Sequence, residues 1–289
     1  VNRVIILLGQ RVRSGTNFVG STLLQHPKVV TLPRGKSFGE FNLFNDNAIV
    51  TEVFDRVIER SFGMRLSKEW LPTFLENYGK NWLSLLQAKY EIPKDAVLFF
   101  KSPRIDQIDL WLQAFPEAQI LVVCRDGRDN VVSSVKASND KRSWYTFFII
   151  LKKFINYYSG RSFVNHAREW AETADYVIDV KQSLGSRVKV LPYESLLNSR
   201  QGISDLLDHF KLDINENILK ACMEAPVIGS SQGVHTSNVK KTNWQPDYNK
   251  SKYMFTKKWR HWGVLKKIVF KTIAGKQLVA LNYEKNSTW

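Results

Sequence analysis

Val4-Ile5-Ile6-Leu7-Leu8-Gly9-Gln10-Arg11-Val12-Arg13-Ser14-Gly15-Thr16-Asn17 is the stretch on which the fold turns. Its first five residues are an apolar run of the length and type of a buried strand. Residues 9–17 are basic and hydroxyl-rich, and Phe18-Val19-Gly20-Ser21-Thr22-Leu23-Leu24 then sets apolar residues at helical spacing. A strand that runs through such a loop into a helix start makes an anion site. The first N–H groups of the helix have no intrahelical acceptor, and the helix dipole adds partial positive charge there. Arg11 and Arg13 bring full charges, while Ser14, Thr16 and Asn17 bring short polar side chains. The stretch predicts a cradle for nucleotide phosphates.

Further along, apolar runs at 29–32, 96–100, 119–124 and 188–191 read as strands, separated by segments of helical rhythm. Strands alternating with helices imply a parallel sheet covered on both faces, with ligands beyond the carboxyl ends of the strands. The loops at 11–17, 101–104, 125–130 and 193–194 then open on one edge, and three of the four carry cationic groups. Residues 51–90 read as mostly helical. Their stripe of Trp70, Phe74, Tyr78, Trp82 and Leu85 suits core or pocket lining better than a nucleic-acid platform. Residues 33–39 read as a loop. So do residues 229–256, rich in Ser, Asn, Lys and Gly, and loops of that length are commonly functional. The cluster Lys257-Lys258-Trp259-Arg260-His261-Trp262-Gly263 ends that loop, and a last amphipathic helix is expected from Val264 to about Asn282. With no repeat and no break in composition, residues 1–289 are expected to form one domain.

Composition narrows the partners. A 44% hydrophobic, 24% charged chain is an ordinary globular one. Forty-two basic against 27 acidic residues give +15, which favours nucleotides, polyanionic sugars, nucleic acid or acidic lipid headgroups. Two cysteines do not make a disulfide framework, and Cys124, ending an apolar run, reads as core filler. No apolar run is long enough to cross a bilayer. The compartment stays open: cytoplasm, or a lumen should an anchor precede Val1.

The first loop is not a Walker A, because no Lys precedes Thr16 and the glycine spacing differs. Neither a Mg²⁺-binding Asp at a strand end nor a dinucleotide fingerprint is evident. Arg13-Ser14-Gly15-Thr16-Asn17 followed by His26-Pro27 instead resembles the 5′-phosphosulfate loop of PAPS-dependent sulfotransferases. Arg125-Asp126-Gly127-Arg128-Asp129, with Ser133 eight residues after Arg125, resembles their 3′-phosphate motif. Lys101-Ser102-Pro103 and Tyr193-Glu194 stand where the family has a catalytic Lys and an adenosine-contacting Tyr. Lys258-Trp259 and Trp262-Gly263 resemble the element that closes the site. The style is nearer to the Golgi carbohydrate and tyrosylprotein branch and its bacterial relatives than to the cytosolic small-molecule enzymes.

The resemblance implies an α/β sulfotransferase fold, a P-loop-like parallel sheet between helices. It also implies transfer of a sulfuryl group from PAPS, leaving PAP, to a hydroxyl acceptor such as a glycan, a peptide tyrosine or a hydroxylated metabolite. No metal is expected, since arginines and lysines carry the charge compensation, and no nucleic-acid partner is expected. Arg13 and Lys101 are the candidates to stabilise charge in transfer. Arg13, Ser14, Gly15, Thr16, Asn17, Arg125, Ser133, Tyr193 and Lys258 are the candidates to hold the donor. The acceptor hydroxyl needs a general base. Glu40 is the first choice, with His26 and His235 as rivals. Competing readings are a surface carboxylate for Glu40 and an ion pair with Asp126 or Asp129 for Arg125. For the whole chain the alternatives are a P-loop kinase or hydrolase and a non-enzymatic polyanion binder. The excess positive charge leans the acceptor toward an acidic glycan or peptide.

Overall fold

The computed structural model describes residues 2–32, 39–41, 43–44, 47–60, 67–139, 145–183, 185–236, 239–249, 256–286 and 289. Residues 33–38 of the expected loop at 33–39, the stretch 61–66 and residues 250–255 of the expected loop at 229–256 lie outside these. The chain runs β1 (Arg3–Gly9), α1 (Thr16–Leu23), β2 (Val29–Val30), α2 (Asn47–Arg60), α3 (Leu71–Lys89), β3 (Val97–Ser102), α4 (Ile108–Ala114) and β4 (Gln119–Cys124). It continues α5 (Gly127–Asn139), α6 (Phe147–Tyr158), α7 (Arg161–Ser183), β5 (Val188–Pro192), α8 (Tyr193–Leu196), α9 (Arg200–His209) and α10 (Glu216–Met223). It ends β6 (Val227–Thr236), β7 (Val239–Asp247) and α11 (Val264–Ala280).

Strands β1 to β5 form a parallel sheet in the order β2-β3-β1-β4-β5. Alternation along each strand sorts its side chains to two faces. Val4, Ile6 and Leu8 of β1 and Ile120, Val122 and Cys124 of β4 join one core with Leu75 and Leu83 of α3 and Trp111 of α4. Ile5, Leu7, Leu121 and Val123 join a second with Phe18 and Val19 of α1 and Leu206 and Leu207 of α9. Helices therefore cover both faces. A third cluster, Val131, Phe163, Trp170 and Phe270, locks α5, α7 and α11 together.

The aromatic stripe is core in part. Phe74, Tyr78 and Trp82 pack on the first core, while Trp70 and Leu85 are about half exposed. The expected loop over 229–256 is largely a hairpin. β6 and β7 pair antiparallel from Val227↔Asp247 to Thr236↔Val239, with register shifts near Gly229. Composition misses it because Ser, Asn and Lys tolerate a ladder whose hydrogen bonds are made by the backbone. Both cysteines are buried and free, and burial pushes their thiols up, that of Cys222 to about 11.

Candidate active site

A parallel sheet sends all its carboxyl ends to one edge. The turns after β1, β3, β4 and β5 therefore meet there, as the alternation of elements implies. The β1–α1 turn is built on unusual backbone. Arg13 has φ +72° and Gly15 φ +100°. A Cβ on Gly15 would lie 2.3 Å from the Tyr193 ring, so only glycine lets this turn settle on β5–α8. No side chain caps α1 at Gly15, which leaves its first N–H groups to a ligand.

The turn is stitched to the start of α5. Arg13 Nε donates to Ser133 Oγ at 3.0 Å, Arg125 Nη1 to the Arg13 carbonyl at 3.2 Å, and Asn130 Nδ2 to the Val12 carbonyl at 3.2 Å. Arg125 lies over the Tyr193 ring at 5.1 Å, and its Nε is buried without a hydrogen-bond partner. Asp126 pairs with Arg128, and Asp129 accepts the N–H groups of Lys257 and Lys258 at 2.6 and 2.7 Å. Both carboxylates are thus engaged elsewhere, and the competing reading of Arg125 fails. The Asp129 bonds dock the basic-aromatic segment on the site. There burial and the charges of Arg125, Lys136 and Arg13 hold the Lys258 pKa down. Cations kept together against mutual repulsion, beside an unpartnered Arg125 Nε, fit a polyanionic ligand. Lys136 escaped the sequence reading. Its signal was its place three residues after Ser133, on the same helical face.

At the end of β3, Lys101 is wholly buried. Its Nζ donates to Asn17 Oδ1 at 2.5 Å and to Glu40 Oε1 at 3.2 Å. Burial lowers its pKa, and Glu40 partly restores it. Glu40 arrives as an isolated parallel bridge to β3: Lys101 N–H donates to the Gly39 carbonyl and Phe41 N–H to the Lys101 carbonyl. Phe41 stacks on Phe100 at 4.6 Å, which fixes the segment and leaves Glu40 40% exposed over the lysine.

Two cations of the motifs are scaffold instead. Arg11, expected to charge the cradle, is buried against α7, donating to the His166 carbonyl at 2.8 Å and pairing with Glu169. Arg128 pairs with Asp126 and Glu284 and lies 3.8 Å from the Trp259 ring centroid and 4.7 Å from that of Trp289. His26 is not at the site. Buried beside the amino ends of β2 and β3, it takes the Lys28 N–H at 3.2 Å on Nδ1 and reaches the Asp213 carbonyl with Nε2. The His235 side chain lies outside what is described.

The family model described as "Sulfotransferase family" matches residues 5–216, from β1 to the start of α10. The chain belongs to the sulfotransferase family. No curated protein matches it in sequence. Among solved structures, it is similar to the sulfotransferase domain of the Synechococcus PCC 7002 olefin synthase, at 16% identity and TM-score 0.51 over 94% of each chain. It also aligns with the sulfotransferase domain from the curacin biosynthetic pathway, at 16% identity and TM-score 0.49 over 98% of each. Mouse sulfotransferase SULT7A1 complexed with PAP aligns at 11% identity and TM-score 0.48, over 97% of this chain and 88% of that one. The α/β sulfotransferase fold is therefore present, and this sulfotransferase moves a sulfuryl group. The kinase and passive-binder readings give way to that.

Proposed function

We propose that this sulfotransferase uses PAPS as donor, releases PAP, and sulfates a hydroxyl acceptor activated by Glu40. The observation that carries the reading is the Glu40–Asn17–Lys101 constellation, set between the uncapped α1 N-terminus and open solvent. In-line transfer needs positioning, charge neutralisation and removal of the acceptor proton. Lys101, a compact buried ammonium, suits the bridging oxygen that gains charge as the sulfuryl group leaves. Arg13 and the N–H groups of Gly15, Thr16 and Asn17, with the Ser14 and Thr16 hydroxyls, suit the 5′ oxygens. Arg125, Ser133 and Lys258, with Lys136 added, suit the 3′-phosphate. Tyr193 forms the floor on which the Gly15 turn and Arg125 rest. Glu40, half exposed, takes the acceptor proton. The acceptor bears a hydroxyl, and the net charge of +15 favours an acidic glycan or peptide.

Thermal-shift titration with PAP, ATP and ADP, followed by an acceptor screen with labelled PAPS, tests this. Stabilisation by PAP above ATP is expected, and no stabilisation by PAP at any concentration overturns it.

A further inference from the structure

Helix α6 wears its apolar side outward. At about 100° per residue, Phe147, Phe148, Leu151, Phe154, Ile155 and Tyr158 share one half of the helix, and they are exposed by 72%, 79%, 42%, 56%, 49% and 72%. The side toward the protein carries Ile149, Lys153 and Asn156, each half-buried. Lys153 Nζ donates to the Ser138 carbonyl at 2.6 Å and to Tyr145 Oη at 2.9 Å, and Asn156 lines a crevice with Asn165 and His166. None of the helix's residues is buried. A surface helix ordinarily shows the reverse arrangement, and a contiguous exposed apolar face of this kind marks a contact surface.

A second apolar strip adjoins the same end of α7. Val264, Leu265 and Ile268 at the start of α11 are exposed by 74%, 75% and 56%. Trp262 packs on Phe163 at 4.9 Å and Lys266 Nζ lies 5.9 Å from the Phe163 ring. Phe163 is in the first turn of α7, just after the link from α6. Neither α6 nor α11 contains an Asp or a Glu, and Lys152, Lys266, Lys267 and Lys271 accompany the apolar residues.

We propose that α6 and the start of α11 form an interfacial face that binds the surface of an anionic bilayer. Aromatic and aliphatic side chains facing outward with lysines beside them are what a helix lying in the headgroup layer requires. Charge selects the occupant. In a symmetric dimer through this face, lysine-bearing surfaces without carboxylates would meet each other, whereas an acidic headgroup layer complements them. Attachment would be along the surface, since no helix among the described residues is long and apolar enough to cross a membrane.

The test is co-sedimentation of the full 289-residue chain with phosphatidylcholine vesicles, with and without phosphatidylserine. Binding is expected to be about tenfold or more tighter with phosphatidylserine and weakened by salt. Phe148→Ser with Phe154→Ser, and separately Lys266→Glu with Lys267→Glu, are each expected to lower binding about tenfold. Their far-UV spectra should not change, because none of the four side chains is buried, and the melting temperature of the Ser variant, whose two phenylalanines are well exposed, should hold. Phe148→Trp should show a blue-shifted emission on vesicles. The proposal is overturned if phosphatidylserine vesicles do not bind the chain, or if the double Ser variant binds as well as the parent. A dimer in analytical ultracentrifugation that the Ser substitutions dissociate, with no vesicle binding, would make the face a self-association surface and overturn it too.

Discussion

Lys101 and Glu40 are 61 residues apart in sequence, yet Lys101 Nζ sits 3.2 Å from Glu40 Oε1. The pair is sided: the lysine is wholly enclosed, and the glutamate is 40% exposed. A buried ammonium can face the donor while its carboxylate partner faces whatever approaches from solvent. Substitution at either member separates these roles.

Glu40→Gln keeps the shape of the site and removes the proton acceptor. Turnover should fall by about 10²- to 10⁴-fold with PAP affinity retained. Single-turnover transfer from labelled PAPS, beside PAP titration, measures both. Full turnover in the variant would place the base elsewhere.

Alkaline pH should act through Lys101. Burial lowers its pKa and Glu40 raises it in part, with burial the larger effect. The lysine attracts an anion only while protonated, so PAP affinity should fall as pH rises through a value below the ordinary lysine pKa of about 10.4. Glu40→Gln removes the raising contribution and should move the fall to lower pH. Lys101→Arg, charged throughout, should remove the Lys101 part of the fall and leave that of Lys258, whose pKa is also held down. Calorimetric titration across alkaline pH reads the shift, and an unmoved profile in Glu40→Gln would refute the coupling.

Arg125 touches the Arg13 carbonyl and lies over Tyr193, with Nε unpartnered. Arg125→Ala should weaken PAP about ten- to a hundredfold, the worth of a charge-assisted hydrogen bond or two, with little change in turnover at saturating donor. Lys136 is exposed at the rim of the same cluster. Lys136→Ala should therefore cost less, and that cost should shrink with added salt.

Gly15→Ala places a methyl where the Tyr193 ring already stands and forces a left-handed backbone on alanine. The backbone alone costs about 1–2 kcal/mol, and the steric clash must be relieved by moving the turn. PAP binding should drop more than thermal stability does. The two measured on one preparation distinguish a displaced loop from a destabilised fold.

Arg128 belongs to the scaffold despite its place in the second motif. Arg128→Met leaves Asp126 and Glu284 without their cation and removes the contact with Trp259. A loss of about 3–5 kcal/mol in urea unfolding is expected. Donor binding at low temperature should survive.

Sequence patterns alone specify the sheet, its two-faced burial and the edge at which the cationic turns gather. Those rest on local patterns: continuous apolar runs for β1, β3 and β4, a glycine at a left-handed turn, and cationic turns that a parallel sheet must gather. The sequence also marked the candidate donor half of the site, because residues 13–17 and 125–133 are each a contiguous unit, and Arg13 bonded to Ser133 brings the two together. What lay beyond it were relations between distant segments. Arg11 and Arg13 look alike in the chain, yet Arg11 is claimed by Glu169 on α7 and Arg13 by Ser133 on α5. Tertiary structure alone chose between them, since the choice depends on where α7 packs. It also drew Glu40 onto the end of β3, through backbone pairing of Gly39 and Phe41 with Lys101 and the seat of Phe41 on Phe100. It turned most of the polar stretch after α10 into a hairpin. It left the apolar side of α6 facing outward, because helical periodicity shows that a helix has two sides and only packing decides which one is covered.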